Sequence, residues 1–178
     1  MPTFSHLHCH TQYSLLDGAA KIPEMLKKAQ EDEMPAVALT DHGNMFGVFK
    51  FVAEASKYNV KPIIGCEFYL VADRHQKQFS KEQRDERYHQ LMLAKDEQGY
   101  KNLAKLCSLG YIEGLYSKWP RIDKKLVQKY HQGLIATTCC HVPSRSWPLR
   151  MGRAIDGPIS AACTWLWPLP SCQASSWA

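Results

Sequence analysis

The first 140 residues show apolar and polar positions in a pattern that predicts alternating strands and helices. Short runs that are apolar, or that alternate with polar residues, predict five strands, at residues 3–11, 35–40, 60–72, 88–94 and 132–140. Apolar residues at helical spacing predict three helices, at residues 19–34, 44–59 and 96–110. Strands and helices joined by short connections are typical of βα units, so the predicted fold class is α/β, with parallel strands and outer helices.

The three predicted helices carry local signals for their ends and their buried faces. Pro23 suits the first turn of the first helix, Asp96 can cap the third, and Gly110 is expected to end it. The stripes expected to face the core are Ile22, Met25, Leu26 and Ala29 in the first helix, Met45, Phe49, Val52 and Ser56 in the second, and Tyr100, Leu103, Ala104 and Cys107 in the third. The charged segment 74–87 is predicted to be a solvated loop or helix.

The composition changes abruptly after residue 140. Residues 1–140 contain 35 charged side chains, whereas residues 141–178 contain four, with no lysine or glutamate, and hold four of the five tryptophans. Such a segment is unlike a natural globular surface. Three interpretations are open: an apolar segment docked on the core, a tail that recruits a partner, or out-of-frame translation joined to a genuine N-terminal part. We favour the last. The domain is therefore predicted to span residues 1–140, and residues 141–178 are predicted to be a tail that does not belong to it and is out-of-frame or disordered.

Charge and cysteine content narrow the class of protein only a little. The net charge of +5 permits a nucleic-acid partner but does not by itself indicate one. Seven cysteines without framework spacing are expected to be core residues or metal ligands in a reducing compartment. No apolar run approaches the roughly 18 residues of a membrane span, and the first residues lack the pattern of a signal peptide. These features predict a cytoplasmic protein with no membrane partner.

The stretch HLHCHTQYS at residues 6–14 raises the question of a metal site. On a strand, His8 and His10 point to the same face and can reach one ion, whereas Cys9 points to the opposite face and is expected in the core. His6 shares the face of the pair but lies about 7 Å further back along the strand, at roughly 3.3 Å per residue.

Further residues of metal-ligand type follow, mostly toward the carboxyl ends of the predicted strands: Asp17, Asp41, His42, Glu67, His89, Cys139 and Cys140. Taken singly, His42 also fits a helix cap, His89 an ordinary strand histidine and Cys140 a core residue. Glu67 is harder to explain in that way, because a buried carboxylate needs a cation or hydrogen-bond donors. A βα architecture would bring these residues to one rim, where such proteins build their sites.

Histidine and carboxylate ligands in this number exceed what one tetrahedral ion needs, so more than one divalent ion is expected. The mixture suits Zn²⁺, Mn²⁺ or Fe²⁺ better than Mg²⁺ or Ca²⁺, which prefer oxygen ligands. A multinuclear site of this kind indicates phosphoester hydrolysis, because metal ions activate water and stabilise the leaving oxygen. The sequence contains neither a phosphate-binding P-loop nor a G-x-S-x-G motif.

Four motifs together resemble a known family. HLHCHTQYSLLDGAAKI, ALTDHGNMFGVFKF, VKPIIGCEFYL and HQLMLAKDEQGYKNL are similar to the N-terminal polymerase-and-histidinol-phosphatase (PHP) domain of bacterial replicative DNA polymerase III alpha subunits. The resemblance runs from about Phe4 to Cys140. YSLLDGA, TDHGN and KDEQGYKNL are typical of the polymerase branch rather than of PHP phosphatases.

The resemblance implies an incomplete, distorted (β/α)7 barrel with a site for up to three divalent ions at the carboxyl ends of its strands. The implied metal ligands are His8, His10, Asp17, His42, Glu67, His89 and Cys140. Glu67 would bridge two ions, and the implied catalytic residues are His8, His10, Glu67 and His89. His6 would not be a ligand, and the family's final Asp-x-His motif has no counterpart after Cys140.

The function implied by the resemblance is that of a metal-dependent 3′–5′ exonuclease domain within a full-length replicative polymerase. Its partners would be DNA and other replicase subunits, namely the sliding clamp and the proofreading subunit. Two alternatives are a non-catalytic scaffold that docks the proofreading subunit and a small-molecule phosphoesterase. The 178-residue chain alone is expected to have little or no activity, because an open barrel leaves an unpaired strand and an incomplete metal shell.

Overall fold

The computed structural model describes residues 4–15 and 17–137, which form four helices and five strands. In chain order the elements are α1 (Ile22–Glu31), β1 (Ala36–Leu39), α2 (Val48–Ala55), β2 (Lys61–Val71), β3 (Tyr88–Ala94), α3 (Glu97–Ile112), β4 (Arg121–Asp123), α4 (Lys124–Lys129) and β5 (Leu134–Ala136). The predicted α/β fold class is confirmed. The expected ligand Cys140 and the predicted tail at 141–178 lie outside the described residues.

The long strand β2 organises the sheet. β1 pairs in parallel with its first half, and β4 pairs in parallel with its last residues, where Tyr69 lies opposite Arg121. β3 runs antiparallel to β2, with Gly65 opposite Leu93, and β5 runs antiparallel to β3. Parallel pairing therefore holds for β1, β2 and β4, whereas β3 and β5 differ from the prediction. Strand periodicity identifies the buried face but not the direction of the strand, so it could not show this.

Two apolar clusters hold the helices against the sheet. The first joins α1 and α2 to β1, and the second joins α3 and α4 to β2, β3 and β4. Ile22, Leu26 and Ala29 of α1 are buried as predicted, and Cys9 packs against this cluster, as expected for the face opposite the histidines. The clusters meet at Met45 and Ile64, which contact both, so the site described below rests on a continuous core.

The buried face of α2 differs from the prediction. Phe49 is 86% exposed and Val52 42% exposed, whereas Val48, Phe51 and Ala55 are buried. Apolar residues occupy much of the circumference of this helix, so their spacing alone does not select the face that packs. Only contact with α1 and β2 decides it.

Two further predictions are corrected, and two elements were missed. Residues 6–10 form no strand, because their backbone meets β1 at only two points, from Ala38 N to the His6 carbonyl (2.8 Å) and from Thr40 N to the Cys9 carbonyl (2.9 Å). Gly110 does not end α3 but lies buried within it. β4 and α4 were not predicted from the sequence.

No helix in residues 4–15 and 17–137 combines the length and apolar character needed to cross a membrane.

Candidate metal centre

Glu67 lies at the centre of the predicted site, on β2, with its side chain fully buried. His42 follows β1 and bridges to Glu67 through the backbone, and His89 lies on β3, beside β2. The N-terminal segment brings His8 and His10 to the same place. Three parts of the chain that are distant in sequence but adjacent in the fold therefore direct imidazole rings at one carboxylate.

The ring nitrogens of four histidines approach the two oxygens of this carboxylate. Nε2 of His8, His10 and His42 lie 2.7, 2.8 and 3.2 Å from Glu67 Oε2, and Nδ1 of His89 lies 2.9 Å from Oε1. Nε2 of His8 lies 3.1 Å from Nε2 of His10. The convergence of this i, i+2 pair agrees with the prediction, although the segment is not a strand.

Asp17 extends the cluster at its exposed side. Its Oδ2 lies 2.6 Å from Nδ1 of His42 and 3.4 Å from Nδ1 of His10, and its side chain is 46% exposed. Ser14 Oγ donates to Asp17 Oδ2 over 3.1 Å and accepts the backbone N–H of His42 over 3.1 Å. The sequence analysis did not single out Ser14. Its only signal there is the spacing to Asp17, which suits a short polar turn closed by side-chain hydrogen bonds.

Within the described residues, three overlapping groups could hold metal ions: His8, His10 and Glu67; His10, Asp17 and His42; and His42, Glu67 and His89. In each group the ligand atoms lie within 4.8 Å of one another. The structure thus brings together six of the seven expected ligands, and only Cys140 falls outside the described residues. His10, His42 and Glu67 each belong to two of the groups, so the three groups form one centre.

The donor set fits divalent cations better than it fits a closed hydrogen-bond network. Glu67 Oε1 and His42 Nε2 are buried without a well-directed hydrogen bond, although His89 Nδ1 lies 2.9 Å from the first and Glu67 Oε2 lies 3.2 Å from the second. The atoms are close, but no N–H points along the line that joins them. With bonds of about 2.1 Å, two ligand atoms on one ion are roughly 3.0 to 3.4 Å apart, which is near the separations found here.

Comparison with known families assigns the chain. The family model described as the PHP domain matches residues 6–157, a range that includes all seven expected ligands. The chain belongs to the PHP domain family. The α/β fold with its parallel β1–β2 and β2–β4 pairs agrees with the distorted barrel that the resemblance implied. The match continues past residue 140, and the predicted domain boundary there stays a prediction.

The relatives of this PHP domain carry the name DNA polymerase III subunit alpha. It is similar to the DNA polymerase III subunit alpha of Borreliella burgdorferi, with 52% identity over 140 residues, and to that of Deinococcus radiodurans, with 46% identity over 160 residues. These alignments cover 77% and 86% of this chain, and in each case 12% of the relative. The chain therefore spans about an eighth of the length of these curated relatives. The resemblance stated from the motifs is confirmed.

Among solved structures, an amidohydrolase from Chromobacterium violaceum is similar to the PHP domain, with 24% identity and a TM-score of 0.41. The similarity covers 57% of this chain and 32% of the amidohydrolase. A TM-score of this size adds nothing to the family assignment.

The electrostatics of the PHP domain keep Glu67 ionised. Burial would raise the pKa of its carboxyl, but the four imidazoles that lie against its two oxygens outweigh burial and hold this pKa far below its usual range. Burial lowers the pKa of His42, yet Glu67 and Asp17 more than compensate, so that the pKa of His42 is raised. An ionised carboxylate among imidazoles is the state in which such a centre attracts cations.

Asp41 holds the N-terminal segment of the PHP domain in place. Its carboxylate is fully buried and accepts the backbone N–H of Thr11 over 2.6 Å and the Thr11 hydroxyl over 2.8 Å. Because Thr11 follows His10 directly, this contact fixes the two N-terminal histidines relative to β1. The sequence analysis grouped Asp41 with the ligand-type residues, but it belongs to none of the described metal-binding groups. It is a positioning residue.

The metal centre opens into a cleft of about 720 Å³. Asp17, His42 and His89 line it together with aromatic and basic residues. The volume lies within the roughly 300–1,000 Å³ that is usual for sites that bind small molecules. The centre is therefore accessible to a substrate from this side, while Glu67 stays buried behind it.

Proposed function

We propose that this PHP domain binds up to three divalent metal ions and hydrolyses the phosphodiester bond at the 3′ end of a DNA strand, as part of a DNA polymerase III alpha subunit. The observation that carries the proposal is the convergence of four imidazoles on the buried carboxylate of Glu67, in a chain of this family. Zn²⁺, Mn²⁺ and Fe²⁺ are the proposed ions, because imidazole nitrogen and carboxylate oxygen are mixed in the site.

The proposed ligands are His8, His10, Asp17, His42, Glu67 and His89, with Cys140 as a seventh. Metal ions bound there would make hydroxide available near neutral pH and offset the negative charge of the phosphate. Glu67 is proposed to bridge two ions, since its two oxygens face different histidines. His8, His10, Glu67 and His89 are the proposed catalytic residues.

The chain's own residues have separate tasks in this proposal. The contact between Asp41 and Thr11 holds the N-terminal histidines, so that they need not be ordered when substrate enters. Ser14 orients Asp17 and, through the backbone N–H, His42. Asp17 lies at the exposed side of the centre, where the cleft admits a phosphate group.

The proposal for the full-length protein includes polymerisation and DNA as the substrate. It also includes the sliding clamp and the proofreading subunit as partners. Support comes from relatives named DNA polymerase III subunit alpha, of which this chain spans 11% or 12%. A scaffold without metal is less well supported, because six residues of metal-ligand type would then lie together without binding an ion. A small-molecule phosphoesterase is less well supported, because the relatives at 45–52% identity carry the polymerase name.

The test is the metal content of the chain and its dependence on Glu67. We expect the purified chain, incubated with Zn²⁺ or Mn²⁺ and desalted, to retain at least two ions by elemental analysis. Glu67→Gln should retain clearly fewer, because an amide cannot bridge two cations. Glu24→Gln, an exposed carboxylate on α1, is the matched control and should bind like the wild type.

Nuclease activity is tested in an alpha subunit whose matching segment is replaced by this chain, since the chain alone is expected to have little activity. Removal of a mismatched 3′ nucleotide should require the metal and should be lost in His8→Ala and Glu67→Gln. If both variants kept full metal content and full activity, the proposed centre would be wrong.

A further inference from the structure

We propose that the cleft beside the metal centre is a nucleobase-stacking site, in which Phe46 and Tyr111 receive the 3′-terminal base of single-stranded DNA. This inference rests on the proposed function and deepens it, because it names the part of the substrate that the same site would recognise. It concerns side chains outside the ligand set.

Phe46 and Tyr111 form one exposed aromatic surface in the cleft. Phe46 is 60% exposed and Tyr111 is 36% exposed, their ring centroids are 6.1 Å apart, and their planes are inclined by 34°. Phe46 comes from the connection between β1 and α2, and Tyr111 from the last turn of α3. Rings of this size that stay in water can still be covered by a ligand with a flat apolar face.

Further aromatic residues line the cleft, one of them in contact with the metal centre. Tyr69 also lines the cleft and stacks on His42, with ring centroids 5.6 Å apart and planes inclined by 13°. Tyr88 and Trp119 line the same cleft. A flat, charged ligand that is longer than a phosphate ester would thus contact rings at one end and the metal ligands at the other.

The cations of the cleft suit a sugar–phosphate backbone. The Arg87 guanidinium lies over the Trp119 ring, with its central carbon 3.6 Å from the ring centroid, and Lys118 Nζ lies 5.4 Å from the same centroid. Among the described residues, Lys118 makes no ion pair, whereas Arg87 is paired with Asp85. Asp85 is neutralised in turn by Arg121. Lys118 is therefore the cation that remains available for a phosphate.

Exposed aromatic rings on which bases stack, combined with basic side chains, are the usual means by which proteins bind single strands without regard to sequence. A small phosphate ester would need only the metal centre and would leave Phe46 and Tyr111 in water. A 3′-terminal nucleotide accounts for both parts of the cleft, with its base on the rings and its phosphodiester at the metal ligands.

The experiment uses the full 178-residue chain and a 12-nucleotide DNA strand that carries the fluorescent base 2-aminopurine at its 3′ end. Phosphorothioate terminal linkages prevent cleavage, and Zn²⁺ is present. We expect the chain to quench the 3′-terminal probe, as stacking does, and to leave a probe near the 5′ end bright. Phe46→Ala and Tyr111→Ala should each weaken strand binding about tenfold and remove the quenching.

Phe49→Ala is the matched control, because Phe49 is 86% exposed on α2 and does not line the cleft. It should bind and quench like the wild type, and circular dichroism melting should show that all variants are folded. The proposal is overturned if the folded wild type binds no strand, if both probes are quenched equally, or if all three variants bind alike.

Metal retention separates this inference from the proposed function, because holding the ions does not require a nucleobase. Retained metal, with Phe46→Ala and Tyr111→Ala binding the strand as the wild type does, overturns the stacking site alone. Quenching of the 3′ probe in a chain that retains no metal supports the stacking site and contradicts the proposed function.

Discussion

Replacing Arg121 by methionine should lower the free energy of unfolding by more than a substitution on the surface does, because Arg121 joins the cleft to the sheet. Arg121 is fully buried, at the start of β4, and is the largest side chain of that kind among the described residues. Its guanidinium donates to the carbonyls of Gly114, Arg74 and Gln76 over 3.0, 3.3 and 2.7 Å, and to Asp85 Oδ1 over 2.9 Å. These bonds attach segment 74–87 and the end of α3 to β4.

The magnitude follows from what remains after the substitution. Methionine fills much of the same volume but leaves three carbonyls without their donor and Asp85 with Arg87 as its remaining ion-pair partner. A buried group that loses its partner costs about 1–3 kcal/mol, and breaking a buried ion pair costs about 3–5 kcal/mol in all. Because Gly114 is buried whereas Arg74 and Gln76 are half-buried, we expect a loss of about 3–4 kcal/mol in the free energy of unfolding.

Urea unfolding followed by far-ultraviolet circular dichroism measures this loss, because tryptophan fluorescence would be dominated by residues 141–178. Arg121→Lys should recover only part of the stability, since an ammonium cannot reach all four acceptors at once. Lys81→Met, the same loss of charge at an exposed position of the same segment, should change stability by no more than about 0.5 kcal/mol. A loss below about 1 kcal/mol for Arg121→Met would refute the reasoning.

Two further substitutions test close contacts. Thr11→Val removes the hydroxyl that bonds buried Asp41 and should cost about 1–3 kcal/mol, measured by urea unfolding, with exposed Ser56→Ala as a control that should change little; equal effects would contradict the assigned role. Gly99→Ala would place a Cβ 1.8 Å from the carbonyl oxygen of Gly133, so it should cost about 1–3 kcal/mol or more. Gly110→Ala meets only ordinary contacts of 3.4 Å or more, so its melting temperature should be unchanged or higher; a drop equal to that of Gly99→Ala would contradict this.

Local pattern was sufficient where each element is stabilised by its own residues. The apolar stripe of α1, the cap at Asp96 and the span of β3 were predicted from neighbours in the sequence, and the structure bears them out. The residue types that form the metal centre could also be identified from the sequence, because motifs such as TDHGN are short and specific. Their proximity needed the resemblance, since they come from separate strands.

Contacts between distant residues decided the rest. β4 was missed because its three residues, Arg121 to Asp123, include two charged side chains whose partners lie far away in the sequence. Of the strand predicted at 3–11, the described residues 4–11 form none, because their backbone meets β1 at two points rather than along a ladder.

The sequence by itself determined the α/β class, the family and the ligand types of this PHP domain, because these depend on local spacing and on motifs. Tertiary structure alone decided that β3 runs antiparallel, that Phe51 rather than Phe49 enters the core, and that Asp41 supports the site behind the ligands. It also placed the exposed rings of Phe46 and Tyr111 in one cleft. The physical reason is that a side chain's burial and partners depend on which elements pack together, and one-dimensional periodicity does not record that.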